Sequence, residues 1–377
     1  MRIAIDARPL NHYHKHGIFV YIENLIQALS SIDKENRYFL LYTSLHKKEN
    51  ELPPSVNKNF VKKVMTFPDR DFPFKNFIFS RIVLLYFLNK YKCSIFHSTF
   101  YPFVIKKRRF FYVLTVHDLK SLKVEDSWRQ DLNLYKKAFK NADILIAVSH
   151  ATKKDIIDNF SISENKIRVV YEGVNPFYKE IKEKDFLENI CKKYKLEKNF
   201  FFSLGGTPRK NIKRLIKAFS IFRYRDDFDL VIAGVGLNER CFREYRELAK
   251  RFDVEERVKI LGYIKKEEDL LGLYNAAFCF IFPSLYEGFG LPVLEAMACK
   301  TPVITSCVSS LPEVGGEAVL YIDPYCEENI AEAMEKIVED KNLRDSLVEK
   351  GLAQTKKFSW YKTAEDTLKI YKELCNR

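Results

Sequence analysis

Short apolar runs alternate with amphipathic stretches along most of the chain, which is the pattern of α/β domains built on a parallel sheet. In the first half the apolar runs predict strands at Arg2–Asp6, Arg37–Tyr42, Ser94–His97, Phe111–Val116 and Ile144–Val148. Stretches with a helical period predict helices at Ile18–Leu29, Asn76–Asn89, Trp128–Lys140 and Ala151–Asn159. We therefore expect a wound α/β domain in this half.

The alternation pauses and then starts again in the second half. After Arg168–Tyr171 the sequence Glu172-Gly173-Val174-Asn175-Pro176 leads into a stretch rich in Lys and Glu, as expected of a linker between domains. Further strands are predicted at Phe200–Leu204, Leu230–Ala233, Val258–Leu261, Phe278–Phe282, Val303–Thr305 and Val319–Ile322. The sequence thus predicts two Rossmann-like, doubly wound α/β domains, at residues 1–175 and 176–357, followed by an amphipathic segment at 358–377.

Length and composition fit this division. The chain has 377 residues, of which 47% are hydrophobic and 30% charged, so two globular domains are the default. No run of roughly 18 apolar residues suits a membrane span, and the start lacks the long apolar region of a signal peptide, so we expect a cytoplasmic protein. The eight cysteines are scattered without zinc spacing, and we interpret them as reduced packing residues.

The formal charge of +13 is unevenly distributed. Residues 1–175 hold 29 Lys and Arg against 17 Asp and Glu, a net charge of +12, whereas residues 176–377 hold 34 against 33. The asymmetry favours an anionic partner for the first domain: a membrane surface, a lipid-linked phosphate or nucleic acid.

The most informative stretch is Pro283–Ala298, where a buried strand opens through glycines into a helix with Pro292 at its first position. Such a helix start binds anions, because its first backbone N–H groups have no partner within the helix. Glu287 and Glu295 bracket the turn and would repel an anion, so we interpret them as acceptors for hydroxyl groups. Hydroxyls beside phosphate describe a nucleotide sugar; the alternative is a loop acid and a solvated helix residue.

A second candidate for phosphate binding is Leu204–Asn211, also between a strand and a helix. Its glycines allow close approach of a ligand, and Arg209 and Lys210 supply fixed positive charge. The pattern is not a Walker loop, because the Gly-Lys-Ser/Thr sequence is missing. A basic helix start without a ligand is the alternative.

The first half offers three weaker candidates. Gly17 precedes a helix, after a loop in which His12, His14 and His16 form either a metal site or, as we favour, a polar loop. His117 ends a predicted strand, where it either lines a cleft or bonds to backbone. The sequence Asp69-Arg70-Asp71 imitates a metal-binding Asp-x-Asp, but no pair of strands supports it.

Taken in order, these stretches resemble the retaining glycosyltransferases of family 4, which have the two-domain GT-B fold. The Glu287–Glu295 spacing resembles the family's Glu-x7-Glu signature. The other matching stretches are Met1–Asp6, Gly17-Ile18, Thr115–Asp118, Ala147–Ser149, Pro208–Asn211, Leu261–Tyr263, Thr301–Ile304 and Leu311–Val314. The resemblance covers nearly the whole chain. Together the motifs are highly specific for the family, but they say little about the substrate.

The resemblance implies roles for particular residues. Glu295 would bind the ribose of the donor, Glu287 would face the transferred sugar, and Arg209 with Lys210 would hold the diphosphate. His117 would sit beside the sugar and is expected to be catalytic, together with Glu287, Arg209 and Lys210. The other residues expected to bind the nucleotide sugar are Gly17, Tyr263, Gly288, Phe289, Gly290 and Leu291. The departures are Gly206 where many relatives have Arg, Lys300 where they often have Gly, and Phe19 near a second family Gly; they put loop geometry in doubt.

The resemblance also implies the reaction. A hexose or deoxyhexose, with mannose or rhamnose favoured, would pass from a nucleoside diphosphate sugar to a glycan or lipid-linked acceptor in surface polysaccharide synthesis. The donor would lie in the cleft between the domains, and segment 358–377 would cross back to the first domain. The reaction would retain the anomeric configuration and need neither metal nor cofactor. The alternatives are a GT-B nucleotide-sugar epimerase and a non-catalytic basic protein that binds nucleic acid or another anionic polymer.

The basic first domain then gains a specific interpretation. Asn76–Leu88 with Arg81, and the run Lys106–Arg109, would rest on the inner face of the cytoplasmic membrane while the enzyme meets its acceptor. The alternative is a core helix followed by a solvated basic turn. Nucleic acid is not expected as a partner.

Overall fold

A computed structural model describes residues 1–11, 17–43, 57–67, 78–105, 108–122, 131–234 and 239–376. The chain divides into two compact units, with its main crossings after Gly173 and at Trp360. The first unit contains Met1–Leu119, Arg129–Gly173 and Trp360–Arg377, and the second contains Lys120–Trp128 and Val174–Ser359. Each unit is built on its own parallel sheet.

The sheet of the first unit has seven strands in the order β3-β2-β1-β4-β5-β6-β7, all parallel. The strands are β1 (Arg2–Asp6), β2 (Arg37–Thr43), β3 (Phe60–Met65), β4 (Ile95–Ser98), β5 (Phe111–Val116), β6 (Ile144–Ala147) and β7 (Ile167–Val169). The central strands are buried almost throughout, because helices cover both faces of a wound sheet. The order reverses between β1 and β4, where ligands collect in such folds.

The helices of this unit follow the predicted pattern with shifted ends. They are α1 (Gly17–Ile32), α2 (Leu84–Lys90), α3 (Leu132–Asn141) and α4 (His150–Phe160). A π-helical turn at Phe79–Val83 leads into α2. The helix α3 begins later than predicted, since Asp131 caps it by accepting a hydrogen bond from the Leu134 N–H at 3.0 Å.

Strand β3 is absent from the predicted strands. Among the described strands it lies at the edge of the sheet, where it pairs with β2, and Lys62 and Lys63 interrupt its apolar pattern. Lysines are common on edge strands because they discourage pairing with other chains. The same two lysines that protect the edge therefore also prevent the strand from being predicted as an apolar run.

The sheet of the second unit has six strands in the order β10-β9-β8-β11-β12-β13, again all parallel. The strands are β8 (Asn199–Leu204), β9 (Phe228–Ala233), β10 (Val258–Gly262), β11 (Cys279–Phe282), β12 (Val303–Ser306) and β13 (Leu320–Ile322). Every predicted strand of this half is present, within two residues at each end. Because β8 and β11 are neighbours, the loops that follow them lie at the same edge of the sheet.

The helices of the second unit flank this sheet. They are α5 (Lys184–Tyr194), α6 (Ile212–Ile221), α7 (Glu239–Arg251), α8 (Glu267–Ala276), α9 (Leu291–Ala298), α10 (Leu311–Gly315), α11 (Glu327–Glu339) and α12 (Lys341–Thr355). One face of the sheet packs on α6, α7 and α11 around a core rich in Phe, Ile and Leu. The prediction of two doubly wound α/β domains is confirmed.

The last helix, α13 (Trp360–Cys375), belongs to the first unit and packs against α1. The hydroxyl of Tyr371 lies 2.6 Å from Nδ1 of His97 on β4. The Thr363 hydroxyl donates to the carbonyl oxygen of Tyr171 at 2.7 Å. These buried contacts tie the C-terminal helix to the sheet.

In the part of the chain that the structure describes, no helix is long and apolar enough to cross a bilayer. All eight cysteines are free thiols. Cys93, Cys279 and Cys299 are buried, as expected of packing residues, whereas Cys307 and Cys375 are exposed, contrary to that expectation.

Candidate active site

Two loops of the second unit are joined at the carboxyl ends of β8 and β11. The Leu285 N–H donates to the carbonyl oxygen of Arg209 at 2.8 Å. Oγ of Ser284 lies 3.0 Å from the same oxygen. The two phosphate-binding candidates from the sequence are therefore one structural feature.

The carboxylate of Glu287 lies between the two cations of the β8 loop. It accepts hydrogen bonds from Nη1 of Arg209 at 2.5 Å and from Nζ of Lys210 at 2.6 Å. The Ser284 hydroxyl donates a third bond at 2.6 Å. The Glu287 side chain is only 7% exposed, so this is a buried ion triad of one acid and two bases.

The triad fixes the charge of Glu287. Burial alone would raise the pKa of its carboxyl, but the positive charges of Arg209 and Lys210 outweigh burial and lower the pKa to about 2. Glu287 is therefore ionised at neutral pH. Nζ of Lys210 also lies 4.2 Å from the centre of the Phe282 ring, which limits where the ammonium group can go.

The second glutamate of the signature has the opposite electrostatic environment. Glu295 lies on α9, and its Oε2 accepts a hydrogen bond from the buried Tyr274 hydroxyl at 2.9 Å. Burial raises the pKa of Glu295 to about 7, although the bond from Tyr274 opposes the rise. Two glutamates eight residues apart are thus held at very different pKa values.

The turn between the glutamates is held by serine side chains. The Ser310 hydroxyl contacts the carbonyl oxygens of Glu287 at 3.0 Å and Phe289 at 2.6 Å. Gly290 has φ of +123°, a conformation that L residues rarely adopt, and a Cβ there would lie 3.0 Å from Cδ2 of Leu311. The helix α9 then begins at Leu291, so Pro292 is its second residue, one later than predicted but still in the first turn.

The predicted contacts at Gly288–Leu291 are therefore backbone groups at the start of α9. The side chain of Phe289 is buried and meets the Phe358 ring edge to face, with ring centres 5.7 Å apart.

Three glycines approach one another at the ends of β8, β9 and β10. Gly205 donates its N–H to Ala233, and Gly234 donates its N–H to Gly262 at 2.9 Å. A Cβ on Gly234 would lie 2.9 Å from the backbone carbon of Gly205. Tyr263, one of the residues expected around the nucleotide sugar, directly follows this cluster.

The first unit contains the remaining predicted residues. His117 follows β5, with Nδ1 3.1 Å from Oε1 of Glu172 and Nε2 2.8 Å from the carbonyl oxygen of Thr99. The ring of Tyr21 meets His117 edge to face, with centres 4.6 Å apart. Gly17 is the exposed first residue of α1, and a Cβ there would contact nothing within 4 Å.

The structure therefore brings Arg209, Lys210 and Glu287 into direct contact. It places Gly288–Leu291 and Glu295 on the continuation of the same turn and helix. The contacts that the sequence did not reveal are those of Ser284, Tyr274, Ser310, Gly234 and Glu172. Most of these contacts join residues that are distant in the sequence, whereas Ser284 also bonds to Glu287 three residues later. Gly234, at a strand end, carried a recognisable signal.

Metal binding found no support in the described ranges, where no three His, Cys, Asp or Glu side chains cluster as ligands. His12, His14, His16 and Asp69-Arg70-Asp71 lie outside those ranges. So do Asn76, Lys106 and Lys107 of the predicted membrane-facing segment.

Comparison with known proteins identifies the family. A family model described as Glycosyltransferase Family 4 matches residues 16–176, and one described as Glycosyl transferases group 1 matches residues 206–354. The O-antigen chain mannosyltransferase B of Escherichia coli is 32% identical over 297 residues, which are 76% of this chain and 76% of that protein.

Solved structures share the fold at low sequence identity. Sucrose-phosphate synthase of Thermosynechococcus elongatus matches with a TM-score of 0.81 and 19% identity, covering 100% of this chain and 99% of that chain. HepE of Anabaena in complex with UDP-glucose matches with a TM-score of 0.78 and 16% identity, covering 99% and 100%. These likenesses confirm the GT-B fold class. The protein is a glycosyltransferase, and it belongs to the group 1 glycosyl transferases of family 4.

Proposed function

We propose that this glycosyltransferase moves a hexose or deoxyhexose from a nucleoside diphosphate sugar to a glycan or lipid-linked acceptor in surface polysaccharide synthesis. We favour mannose because the Escherichia coli relative is an O-antigen chain mannosyltransferase. A nucleotide-sugar donor is supported by the likeness to HepE, which was solved with UDP-glucose. Rhamnose is the second choice.

The observation that carries the proposal is the buried triad of Glu287, Arg209 and Lys210 beside the start of α9. Two cations and a helix start form a site for a diphosphate whose charge increases as it leaves. An ionised carboxylate among them suits a hydroxyl-bearing ligand, because it accepts hydrogen bonds that a phosphate does not donate. A nucleotide sugar has both groups.

We propose that the reaction retains the anomeric configuration and uses no metal. The bond from the anomeric carbon to the diphosphate oxygen breaks, and the acceptor oxygen bonds to that carbon on the same face. The proton of the acceptor hydroxyl passes to the departing phosphate oxygen. Arg209 and Lys210 stabilise the charge on the leaving diphosphate, and Glu295 binds the ribose. The roles of Gly17, His117 and Tyr263 toward the donor stay predictions.

A donor screen with the purified chain tests the proposal. We expect GDP-mannose to be consumed in the presence of a glycan acceptor, with a glycosylated product of retained configuration by mass spectrometry and proton NMR. Lys210→Met should abolish transfer, whereas Lys213→Met, on the exposed side of α6, should not. An inverted product would refute the retaining mechanism. Conversion of a nucleotide sugar to its epimer without an acceptor would instead support the epimerase.

We also propose peripheral contact between the first domain and the anionic inner face of the cytoplasmic membrane. Ile82 and Tyr86 lie one helical turn apart and are 61% and 67% exposed, and Nζ of Lys90 lies 5.8 Å from the Tyr86 ring. Apolar side chains beside a cation suit an anionic lipid surface. Flotation with liposomes should depend on anionic lipid and weaken in the double variant Ile82→Glu/Tyr86→Glu. Equal flotation with neutral lipid would remove this part of the proposal.

A further inference from the structure

The hydrogen bonds of His117 determine where its protons are. Nε2 lies 2.8 Å from the carbonyl oxygen of Thr99, and a carbonyl oxygen can only accept, so Nε2 carries a hydrogen. Nδ1 lies 3.1 Å from Oε1 of Glu172, so one further proton lies between that nitrogen and the carboxylate. The ring and the acid therefore share two protons in all.

The shared proton belongs on the ring. In water an imidazole binds a proton more tightly than a carboxylate does. The geometry adds to this preference, because both ring nitrogens already face acceptors. The side chain of Glu172 is 6% exposed and the ring of His117 is 14% exposed, so solvent does little to screen the attraction between them. We infer that Glu172 is a positioning residue that holds His117 as a doubly protonated imidazolium in a fixed orientation.

The surroundings hold the pair in place. The titratable groups that face the ring are Glu172 from the segment after β7, Tyr21 from α1 and His97 from β4. Tyr21 is buried, and its hydroxyl bonds to Thr115 at 3.1 Å. His97 stays neutral, because burial and then the charge of His117 lower its pKa to about 3.

The consequence for catalysis rests on the proposed function. A ring whose two nitrogens both carry hydrogens cannot accept a proton, so His117 is not a general base in the transfer reaction. It contributes a fixed positive charge and a fixed shape at the carboxyl edge of β5. Glu172 acts only through this ring, which is why it is a positioning residue and not a catalytic one.

Nitrogen-15 NMR of histidine-labelled protein tests the inference without any donor. The chain has seven histidines, and the signals of His117 are assigned by their loss in His117→Gln. In the unmodified protein near neutral pH we expect both ring nitrogens to be protonated. In Glu172→Gln the ring should lose the proton on Nδ1 and keep the one on Nε2. Glu164→Gln, an exposed acid in the same domain, should change neither signal.

A neutral His117 ring in the unmodified protein would overturn the inference, and this measurement needs no variant to fold. An imidazolium that persists in Glu172→Gln would also overturn it, since the acid would then not be what holds the proton. Once a donor is known, Glu172→Gln should lower kcat by roughly a hundredfold with little change in donor KM. If no donor is found, the proposed function fails, but the NMR result still decides the protonation of His117.

Discussion

Replacing Glu287 by Gln tests whether the buried triad stabilises the second domain. The substitution keeps the size of the side chain and removes its negative charge. The carboxylate is almost fully buried and accepts hydrogen bonds from Arg209, Lys210 and Ser284 at 2.5 to 2.6 Å. Glutamine cannot neutralise the two cations, so both would keep a positive charge in a region with little water.

The size of the effect follows from the pKa. The carboxyl has a pKa of about 2 in the folded protein against an ordinary value of 4.5. Each pKa unit corresponds to about 1.4 kcal/mol, so the ionised side chain contributes about 3 kcal/mol to the free energy of unfolding at neutral pH. Breaking a buried ion pair by removing one partner has a similar effect, about 3–5 kcal/mol.

The sign of the pH dependence is also fixed. A carboxyl whose pKa is lowered by folding stabilises the protein fully above its unfolded pKa. That contribution is lost as the pH falls through the folded pKa. The difference between the unmodified protein and Glu287→Gln should therefore be about 3 kcal/mol near pH 7 and about 1.5 kcal/mol near pH 3.

Urea unfolding followed by far-UV circular dichroism measures this difference, and hydrogen exchange of peptides covering β8 and β11 locates it in the second domain. Glu349→Gln, which changes an exposed helical glutamate, is the matched control and should have little effect. A loss below about 1 kcal/mol near pH 7, or a loss that does not shrink in acid, would refute the reasoning.

Three further predictions concern other parts of the two domains. The pKa of Glu295 is about 7, so this carboxyl is mostly protonated at pH 6 and mostly ionised at pH 8. If the ionised form binds the ribose, the affinity for GDP-mannose should rise up to about tenfold between these pH values. Calorimetry should find the affinity of Glu295→Gln insensitive to pH. Gly234→Ala should lower the free energy of unfolding by about 1–3 kcal/mol, since its Cβ would lie 2.9 Å from the backbone of Gly205. Gly17→Ala, whose Cβ would meet nothing within 4 Å, is the control and should lower it little. Thermal unfolding measures both variants. Tyr371→Phe should destabilise the first domain by about 1–3 kcal/mol in urea, because a buried histidine nitrogen on β4 loses its partner.

Most of the fold could be predicted from the sequence because a parallel sheet covered on both faces needs continuous apolar strands. Strands such as β1 and β5 begin and end at the predicted residues for this reason. Strand β3 could not be found in the same way, since its edge position allows lysines in its middle. A strand that is buried on both faces can thus be predicted from its apolar run, whereas an edge strand with polar residues cannot.

The site was only partly predictable. The residue types and the local strand-turn-helix pattern identified Arg209, Lys210, Glu287 and Glu295. Their mutual contacts depend on the pairing of β8 with β11, which joins residues 78 positions apart. Glu172 gave no signal, because its partner His117 is 55 residues away in the sequence. Local pattern reveals which residues can do chemistry, whereas sheet order decides which of them meet.

The triad also explains why an acidic residue, Glu287, lies beside a site proposed to bind the diphosphate anion. Glu287 neutralises one of the two charges of Arg209 and Lys210 and holds both side chains in place before a donor binds. A diphosphate must then compete with this carboxylate for the same N–H groups, so the acid weakens diphosphate binding while it preorganises the site.

Glu287→Gln should therefore bind a free nucleoside diphosphate more tightly than the unmodified protein does, and it should transfer sugar more slowly. Both cations become available to the phosphates, but the acceptor for the hydroxyls of the sugar is lost. Calorimetry with GDP and UDP, at a temperature where the destabilised variant stays folded, measures the first effect. The variant could instead bind GDP and UDP no more tightly than the unmodified protein does. That result would show that the carboxylate and the diphosphate do not compete at this site. The cations would then be held mainly by their other contacts, such as the bond from Nη1 of Arg209 to the Tyr286 carbonyl oxygen at 3.0 Å.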